Sequence, residues 1–295
     1  MTERPNIQWN PRIAGTVVLY RPDSDVIDNI KSFLNEIDIL YVVDNSETIN
    51  KKIIEQIQGL DKTVYISNGE NLGIARALNM AANKAIEGGY DLLLTMDQDS
   101  NASLGMIDNM LECARDRDIS KIGIIGPFHL LDMDEKKPVD VDCEIVAHTM
   151  TSGNLLNLRV YQTVGPFLDE LFIDFVDIEF CLRLRQKGFL VVQANRAILK
   201  HNLGNISRVK ILHKQLRTSN HSPVRRYYIT RNRFFVWRKY RDLDVAKQTI
   251  IHDKISFRGE IRNILLMEKN KIAKLVMIAK GYLDYKRNIF GKYKD

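Results

Sequence analysis

Apolar positions follow two alternating rhythms along the first part of the chain. The run from Ile13 to Tyr20 is short, β-branched and apolar almost throughout, the pattern of a strand covered on both faces. Val26, Ile30, Phe33, Leu34 and Ile37 then recur at helical spacing. Ile39–Val43 predicts a second strand, Lys51–Ile57 a helix and Val64–Ile66 a third strand. Gly73–Ile86 predicts an alanine-rich helix that stops at Gly88 and Gly89. Leu92–Met96 is a fourth strand pattern, Leu104–Ala114 a helix and Ile122–Ile125 a further strand. This alternation predicts an α/β domain with a parallel sheet and right-handed crossovers.

From about Pro127 the rhythm changes. Asp132–Asp142 is a charged, proline-containing loop. Ile145–Met150 and Leu155–Val160 predict strands flanking the turn Ser152-Gly153-Asn154. Asp177–Gln186 predicts a helix ended by Gly188, with Leu190–Gln193 and Ala197–Leu199 as short strands after it. Beyond Pro223 the pattern is helical to the end. A division into residues 1–222 and a helical region 223–295 follows.

Charge sharpens that division. From Lys200 to Asp295 there are 24 Lys and Arg against 7 Asp and Glu, whereas Met1–Leu199 carries 19 against 30. A basic region beside an acidic body predicts two tasks: meeting an anion, and holding a cation. The three cysteines, Cys113, Cys143 and Cys181, are scattered and form no C-x-x-C pair, which predicts a reducing, cytoplasmic setting rather than a disulfide framework. The polar stretch Met1–Asn10 lacks the apolar core of a signal peptide. No run is long and apolar enough to predict a membrane span.

In an open α/β sheet, ligands bind beyond the carboxyl ends of the strands. Acidic turns occupy two such ends: Asp44 after the second strand, and Asp97-Gln98-Asp99 after the fourth. Paired carboxylates at the exit of a buried strand repel one another unless a cation lies close, and hard oxygens there suit Mg²⁺ or Mn²⁺ shared with phosphates. Alternatively, the same turn simply caps the helix after it. Asn71-Leu72-Gly73 opens a helix whose first turn carries Arg76, a place where backbone N–H groups and a cation face a phosphate or a base. Asp174, Asp177 and Glu179 crowd one segment, and Glu179 has Arg183 four residues on. His201 follows a strand and is a candidate further metal ligand.

The order and spacing of these pieces resemble a family 2 glycosyltransferase, and within it the bacterial rhamnosyltransferases that build O-antigen and other cell-surface polysaccharides. The resemblance spans roughly residues 13–240. It rests on Val42-Val-Asp-Asn-Ser46, Asn71-Leu-Gly-Ile-Ala75, Met96-Asp-Gln-Asp-Ser100, Thr151-Ser-Gly-Asn154, Phe172-Ile-Asp-Phe-Val-Asp-Ile-Glu179, Lys200-His201 and Arg226-Tyr-Tyr-Ile-Thr-Arg-Asn232.

The resemblance implies a GT-A fold, a nucleotide-sugar donor and inversion at the anomeric carbon. It implies that Thr16, Val18 and Tyr20 line the nucleotide pocket, that Asp44 contacts the base and that Asp97, beside Gln98, faces the ribose or diphosphate. Asn71, Gly73 and Arg76 join that pocket. Asp99 and His201 would hold Mg²⁺ or Mn²⁺, and Asp177 matches the catalytic base. Asn154, Asp174, Glu179, Arg226 and Arg231 are candidates for the acceptor or diphosphate side. One carboxylate base with one metal site fits transfer better than hydrolysis, which needs two carboxyl groups flanking the bond.

The donor this implies is dTDP-rhamnose, with a UDP- or GDP-sugar as the alternative. The acceptor is a glycolipid or glycan. A non-catalytic sugar-nucleotide or polysaccharide-binding module is the alternative from another class. No nucleic-acid partner is expected, because no recognition motif accompanies the basic region and the acidic body opposes one. Ile272–Lys294 alternates Ile272, Leu275, Val276, Ile278, Ala279, Tyr282 and Leu283 with Lys274, Lys280, Lys286 and Arg287. A basic amphipathic helix of this kind predicts either peripheral attachment to an anionic membrane surface, the inner face of the cell membrane, or a packing face between copies of the chain.

Overall fold

The structure is a computed structural model, and it describes residues 10–115, 117–131, 141–201, 207–211, 214–218 and 220–294. Most of the segment Met1–Asn10, nearly all of the charged loop at 132–142, His213 and the side chain of His201 lie outside the described residues.

The predicted alternation is present. β1 (Ile13–Leu19), β2 (Ile39–Asp44), β3 (Thr63–Ser67) and β4 (Leu92–Asp97) are separated by α1 (Val26–Leu34), α2 (Lys51–Gln58) and α3 (Ile74–Glu87). β5 (Ser100–Ala102), which the sequence pattern missed, precedes α4 (Met106–Arg115) and β6 (Ile122–Leu131). Then come β7 (Cys143–Ile145), β8 (Asn154–Asn157), α5 (Leu158–Val164), α6 (Val176–Gln186) and β9 (Leu190–His201). A hairpin of β10 (Ser207–Ile211) and β11 (Lys214–Thr218) leads to three helices, α7 (Pro223–Tyr240), α8 (Asp244–Leu266) and α9 (Lys271–Lys286).

Among the described residues the main sheet runs β3-β2-β1-β4-β8-β6-β9-β5, with β7 also paired to β9. The strands β3, β2, β1 and β4 are parallel, and β8 enters antiparallel between β4 and β6. Side chains of β1 alternate between two cores. Ile13, Val17 and Leu19 join residues of α1, α2 and α4, while Ala14 and Val18 join those of α3, α5 and α6. Burial on both faces explains why β1 reads as a continuous apolar run.

Four expectations need correction. The second half of the predicted strand Leu155–Val160 is helical, because Asn157 caps α5: its Oδ1 accepts from the N–H groups of Arg159 and Val160 at 3.1 and 3.3 Å. The predicted strand Ile145–Met150 is strand only at Ile145. Leu190–Gln193 and Ala197–Leu199 are one strand, β9, whose pairing with β6 jumps from Ala194 to Ile198 at an irregularity. Finally, Cys113 and Cys143 form a disulfide between α4 and β7, with Cα atoms 5.7 Å apart, while Cys181 is a buried free thiol. Their separation of 30 residues carried no sign of this pairing.

The basic C-terminal region is also less exposed than its charge suggests. Arg226 is 3% exposed and donates to Glu260 at 3.1 Å and Glu268 at 2.8 Å. Arg233 pairs with Asp253 and Glu260, and Lys274 with Glu268 at 2.7 Å. These buried ion pairs tie α7, α8 and α9 together, and Lys274 is thereby removed from the basic face expected of α9.

Candidate active site

Register places the acidic turns on either side of β1: Asp44 is the partner of Leu19 and Asp97 that of Val18. The turn Thr151–Asn154 straps the end of β4. Asp97 N–H donates to Ser152 Oγ at 3.0 Å, Gly153 N–H to the Thr95 carbonyl at 2.6 Å and the Thr95 hydroxyl to the Thr151 carbonyl at 2.6 Å. The Ser152 hydroxyl donates onward to Ser100 Oγ at 2.8 Å, and a ring nitrogen of His129 lies 2.7 Å from the Ser152 carbonyl. Gly153 has φ +83°, and a Cβ there would stand 2.6 Å from Pro127. Only glycine fits that position. Beyond the turn, Ser100 pairs with His201 across β5 and β9, which brings the backbone of His201 one residue from Asp99.

Asp174 and Asp177 arrive from the opposite side on a strained segment. Phe172, Asp174 and Phe175 have φ of 64°, 63° and 65°, a left-handed region costly for side-chain-bearing residues. Helix α7 holds this conformation. The Asn232 amide donates to the carbonyls of Leu171, Ile173 and Asp174 at 2.8, 2.8 and 2.9 Å. Arg231 donates to the carbonyls of Glu170 and Leu171 at 3.2 and 3.0 Å, and to that of Gly291 at 2.7 Å. Arg225 forks onto Asp174, its Nη2 3.0 Å from Oδ1.

Asp177 opens α6 with its Oδ1 accepting from the Ile178 N–H at 2.8 Å. It is crowded by protein yet keeps some solvent contact. Burial, then the neighbouring charges of Asp174 and Asp97, push its carboxyl up to about 6. Burial also raises Asp174, against the pull of Arg225. Arg225 feels Asp97 and Asp99 as well as Asp174. Asp97, Asp99, Asp174, Asp177 and Arg225 are therefore one electrostatic group, although they come from β4, the turn after it, the strained segment, α6 and α7.

The remaining candidates divide. Thr16 is fully buried, its Oγ1 without a hydrogen-bond partner, and Val18 is buried beside it in β1. Tyr20 is 39% exposed at the strand's end. Gln98 is engaged with the backbone there, accepting from Tyr20 N–H at 2.8 Å and donating to its carbonyl at 3.3 Å. Asp44 is 1% exposed, its two oxygens accepting from the Tyr65 hydroxyl at 2.7 Å and the Ser46 N–H at 2.8 Å. Asn71 Oδ1 accepts from Gly73 N–H at 2.9 Å, and Arg76 is exposed. The N–H of Ile74 is taken by the Phe172 carbonyl at 2.8 Å, so that part of the α3 terminus faces protein rather than an anion.

Three candidates for the acceptor side are tied up within the fold. Glu179 is fully buried among Arg183, Lys239 and the Tyr240 hydroxyl at 2.9, 2.8 and 2.7 Å. Arg226 is held in its ion pairs, and Arg231 in its carbonyl clasp. Asn154 is buried with Nδ2 donating to the Met150 carbonyl at 2.6 Å, while its Oδ1 has no partner. Asn232 and Ser152 fall within the sequence motifs and His129 outside them, and nothing local in the sequence marks a role for any of the three. Their roles lie in hydrogen bonds to backbone atoms far away in sequence.

No group of three or more His, Cys, Asp or Glu side chains converges to hold an ion among the described residues. Asp97 and Asp99 still fit Mg²⁺ or Mn²⁺, because such ions are held by one or two carboxylates and complete their shells with substrate phosphates and water.

A parallel half-sheet, an antiparallel strand inserted beside it and acidic groups at the strand ends are the features of an α/β fold of GT-A type. Residues 18–128 match the model of glycosyl transferase family 2. The chain is 30% identical over 290 residues to "dTDP-rhamnosyl transferase RfbF" of Shigella flexneri, covering 90% of this chain and 95% of that one. Among solved structures, residues 1–349 of S. aureus TarS superpose with a TM-score of 0.59 at 12% identity, over 93% of this chain and 80% of that one. GalNAc-T7 with UDP, GalNAc and Mn²⁺ gives 0.57 at 12% identity, over 81% of this chain and half of that one. The chain belongs to the family 2 glycosyltransferases, and it is an enzyme of that class.

Proposed function

We propose that this enzyme transfers L-rhamnose from dTDP-rhamnose, with inversion, to a saccharide acceptor of cell-surface glycan synthesis. The observation that carries the mechanism is Asp177, a carboxyl pushed up to about 6 by burial and by the charges of Asp174 and Asp97 beside it. A base works best when its affinity for the proton lies near the working pH. In a single displacement the acceptor oxygen bonds to the anomeric carbon as the bond to the diphosphate oxygen breaks. Asp177 takes the hydroxyl proton, and the nucleoside diphosphate departs. Asp99 and His201, with Asp97 beside them, would hold Mg²⁺ or Mn²⁺, which supplies Lewis-acid stabilisation of the leaving diphosphate. Arg225, already within the field of Asp97 and Asp99, provides a further cation on that side. Asp44 shapes the base pocket through Tyr65 and the Ser46 turn. Support for the sugar comes from the rhamnosyl transferase of Shigella flexneri.

In this reading residues 1–222 hold the donor, while 223–295 form the acceptor side and meet the membrane. Helix α9 leaves Ile272 (80%), Val276 (58%) and Leu283 (49%) exposed near Lys271, Lys280 and Lys286. No helix among the described residues is long and apolar enough to cross a membrane, and the attachment proposed is peripheral.

A donor screen tests the assignment by reading nucleoside diphosphate release with dTDP-, UDP- and GDP-sugars, with Mn²⁺, Mg²⁺ or chelator. The expected result is release from dTDP-rhamnose that chelator abolishes, and weakened metal-dependent donor binding in Asp99→Ala. Release unaffected by chelator rules out the metal. Nucleotide binding with no turnover on any donor points instead to a binding module.

A further inference from the structure

Beside α6, a cavity of about 390 Å³ opens between α6, α7 and α8, and none of Asp97, Asp99, Asp174, Asp177 or Arg225 lines it. Phe175 and Ile178, which flank Asp177 in the chain, line it together with Val236 and Trp237 of α7. That side is apolar and aromatic. Helix α8 contributes a polar side: Gln248, His252 and Ser256 recur every four residues and so stack along one helix face. All three are exposed.

The aromatic side is rigidly held. Trp237 Nε1–H donates to Asp253 Oδ2 at 2.8 Å, and Asp253 is forked by Arg233 Nε and Nη2 at 3.0 Å each. His148 joins the lining from the segment after β7, and its Nδ1 is buried with no hydrogen-bond partner. A buried polar atom without a partner is costly unless a ligand or water satisfies it.

One apolar, aromatic side and one ladder of hydrogen-bonding groups match the two aspects of a pyranose: a face of C–H bonds and a rim of hydroxyls. Ligand sites in general combine apolar walls with a few placed polar groups at this size. We propose that this cavity is the subsite for a pyranose unit of the acceptor. Its C–H face lies against Trp237 and Phe175, and its hydroxyls meet Gln248, His252 and Ser256. The inference rests on the reading that Asp177 deprotonates the acceptor; Phe175 and Ile178, its close neighbours in the chain, are what this segment contributes to the cavity.

Tryptophan emission provides the test. The sequence has two tryptophans, so Trp9→Phe in the full chain leaves Trp237 as the reporter. Methyl glycosides of rhamnose, glucose, galactose and N-acetylglucosamine are titrated in turn, and dTDP with Mn²⁺ is titrated calorimetrically on the same protein. The expected result is a saturable change in emission with at least one glycoside. The double variant Gln248→Ala/His252→Ala should weaken it about fivefold or more, the loss expected for one or two neutral hydrogen bonds. Ser256→Phe should abolish it by filling the cavity, with dTDP binding unchanged in both variants. No saturable response to any glycoside, or a response indifferent to the exposed-site double variant, overturns the subsite. If dTDP binds while the pyranosides do not, only this inference fails; if dTDP fails to bind as well, the reading of a dTDP-sugar donor is struck too.

Discussion

Asp177 and Glu179 are two positions apart, carry the same functional group and have opposite surroundings. Glu179 is satisfied by two cations and a phenol, which makes it part of the core. Asp177 has one backbone N–H and two acidic neighbours, so its charge is poorly compensated. Since burial raises its pKa from 3.8 to about 6, folding favours its protonated form. Its contribution to stability is then fully present below about pH 3.8 and is lost as pH rises through about 6. Asp177→Asn should lower turnover by roughly 10²–10⁴-fold while leaving dTDP binding nearly intact. The same variant should be more stable than the parent at pH 8, by on the order of 1–3 kcal/mol, and not at pH 4. Urea denaturation at the two pH values checks the second claim. Equal stability of parent and variant at pH 8 would mean that the Asp177 charge is already compensated.

At the scale of elements, the site depends on how α3, α6 and α7 meet around the segment 171–175. Gly73, at φ +84°, lets the start of α3 approach the Phe172 carbonyl, where a Cβ would come within 2.6 Å. Asn232 and Arg231 clamp the same segment from α7. Gly73→Ala therefore pushes on backbone rather than on a side chain that can rotate away. It should cost about 1–3 kcal/mol in stability and lower kcat more than donor affinity, through displacement of Asp174 and Asp177. Denaturant titration and steady-state kinetics measure the two effects, and an unperturbed kcat would mean that the segment is not coupled to the site. The glycine's place before a helix was visible in the sequence. Its partner was not, because Phe172 lies nearly a hundred residues away and nothing local marks the contact.

At the scale of the molecule, the basic excess after Lys200 separates into internal and external charge. Arg226, Arg231, Arg233 and Lys274 are buried, and three of them neutralise Asp253, Glu260 and Glu268 inside the helical region. Part of what remains outside, Lys271, Lys280 and Lys286, accompanies the exposed apolar residues Ile272, Val276 and Leu283 on α9. The intact enzyme should float with anionic liposomes at low salt and be released at about 0.5 M salt, where screening shortens electrostatic reach to a few ångströms. Val276→Glu should reduce flotation without changing turnover on a soluble acceptor. Flotation equal to that with neutral liposomes would remove the anionic-surface reading and favour a contact between copies of the chain.

The parallel half of the sheet, its helices and the acidic strand ends were legible in the sequence because burial on both faces and helical periodicity are written in consecutive residues. Asp97 and Asp99 could be singled out for the same local reason, as carboxylates at a strand end, whereas only the family resemblance distinguished Asp177 from Asp174 and Glu179. The tertiary structure decided which acidic group is perturbed and which is satisfied, which arginines are spent inside, and that β8 ends in a cap rather than continuing. Those outcomes depend on partners distant in sequence. Charge, unlike hydrophobic periodicity, acquires its meaning only from what stands beside it after folding.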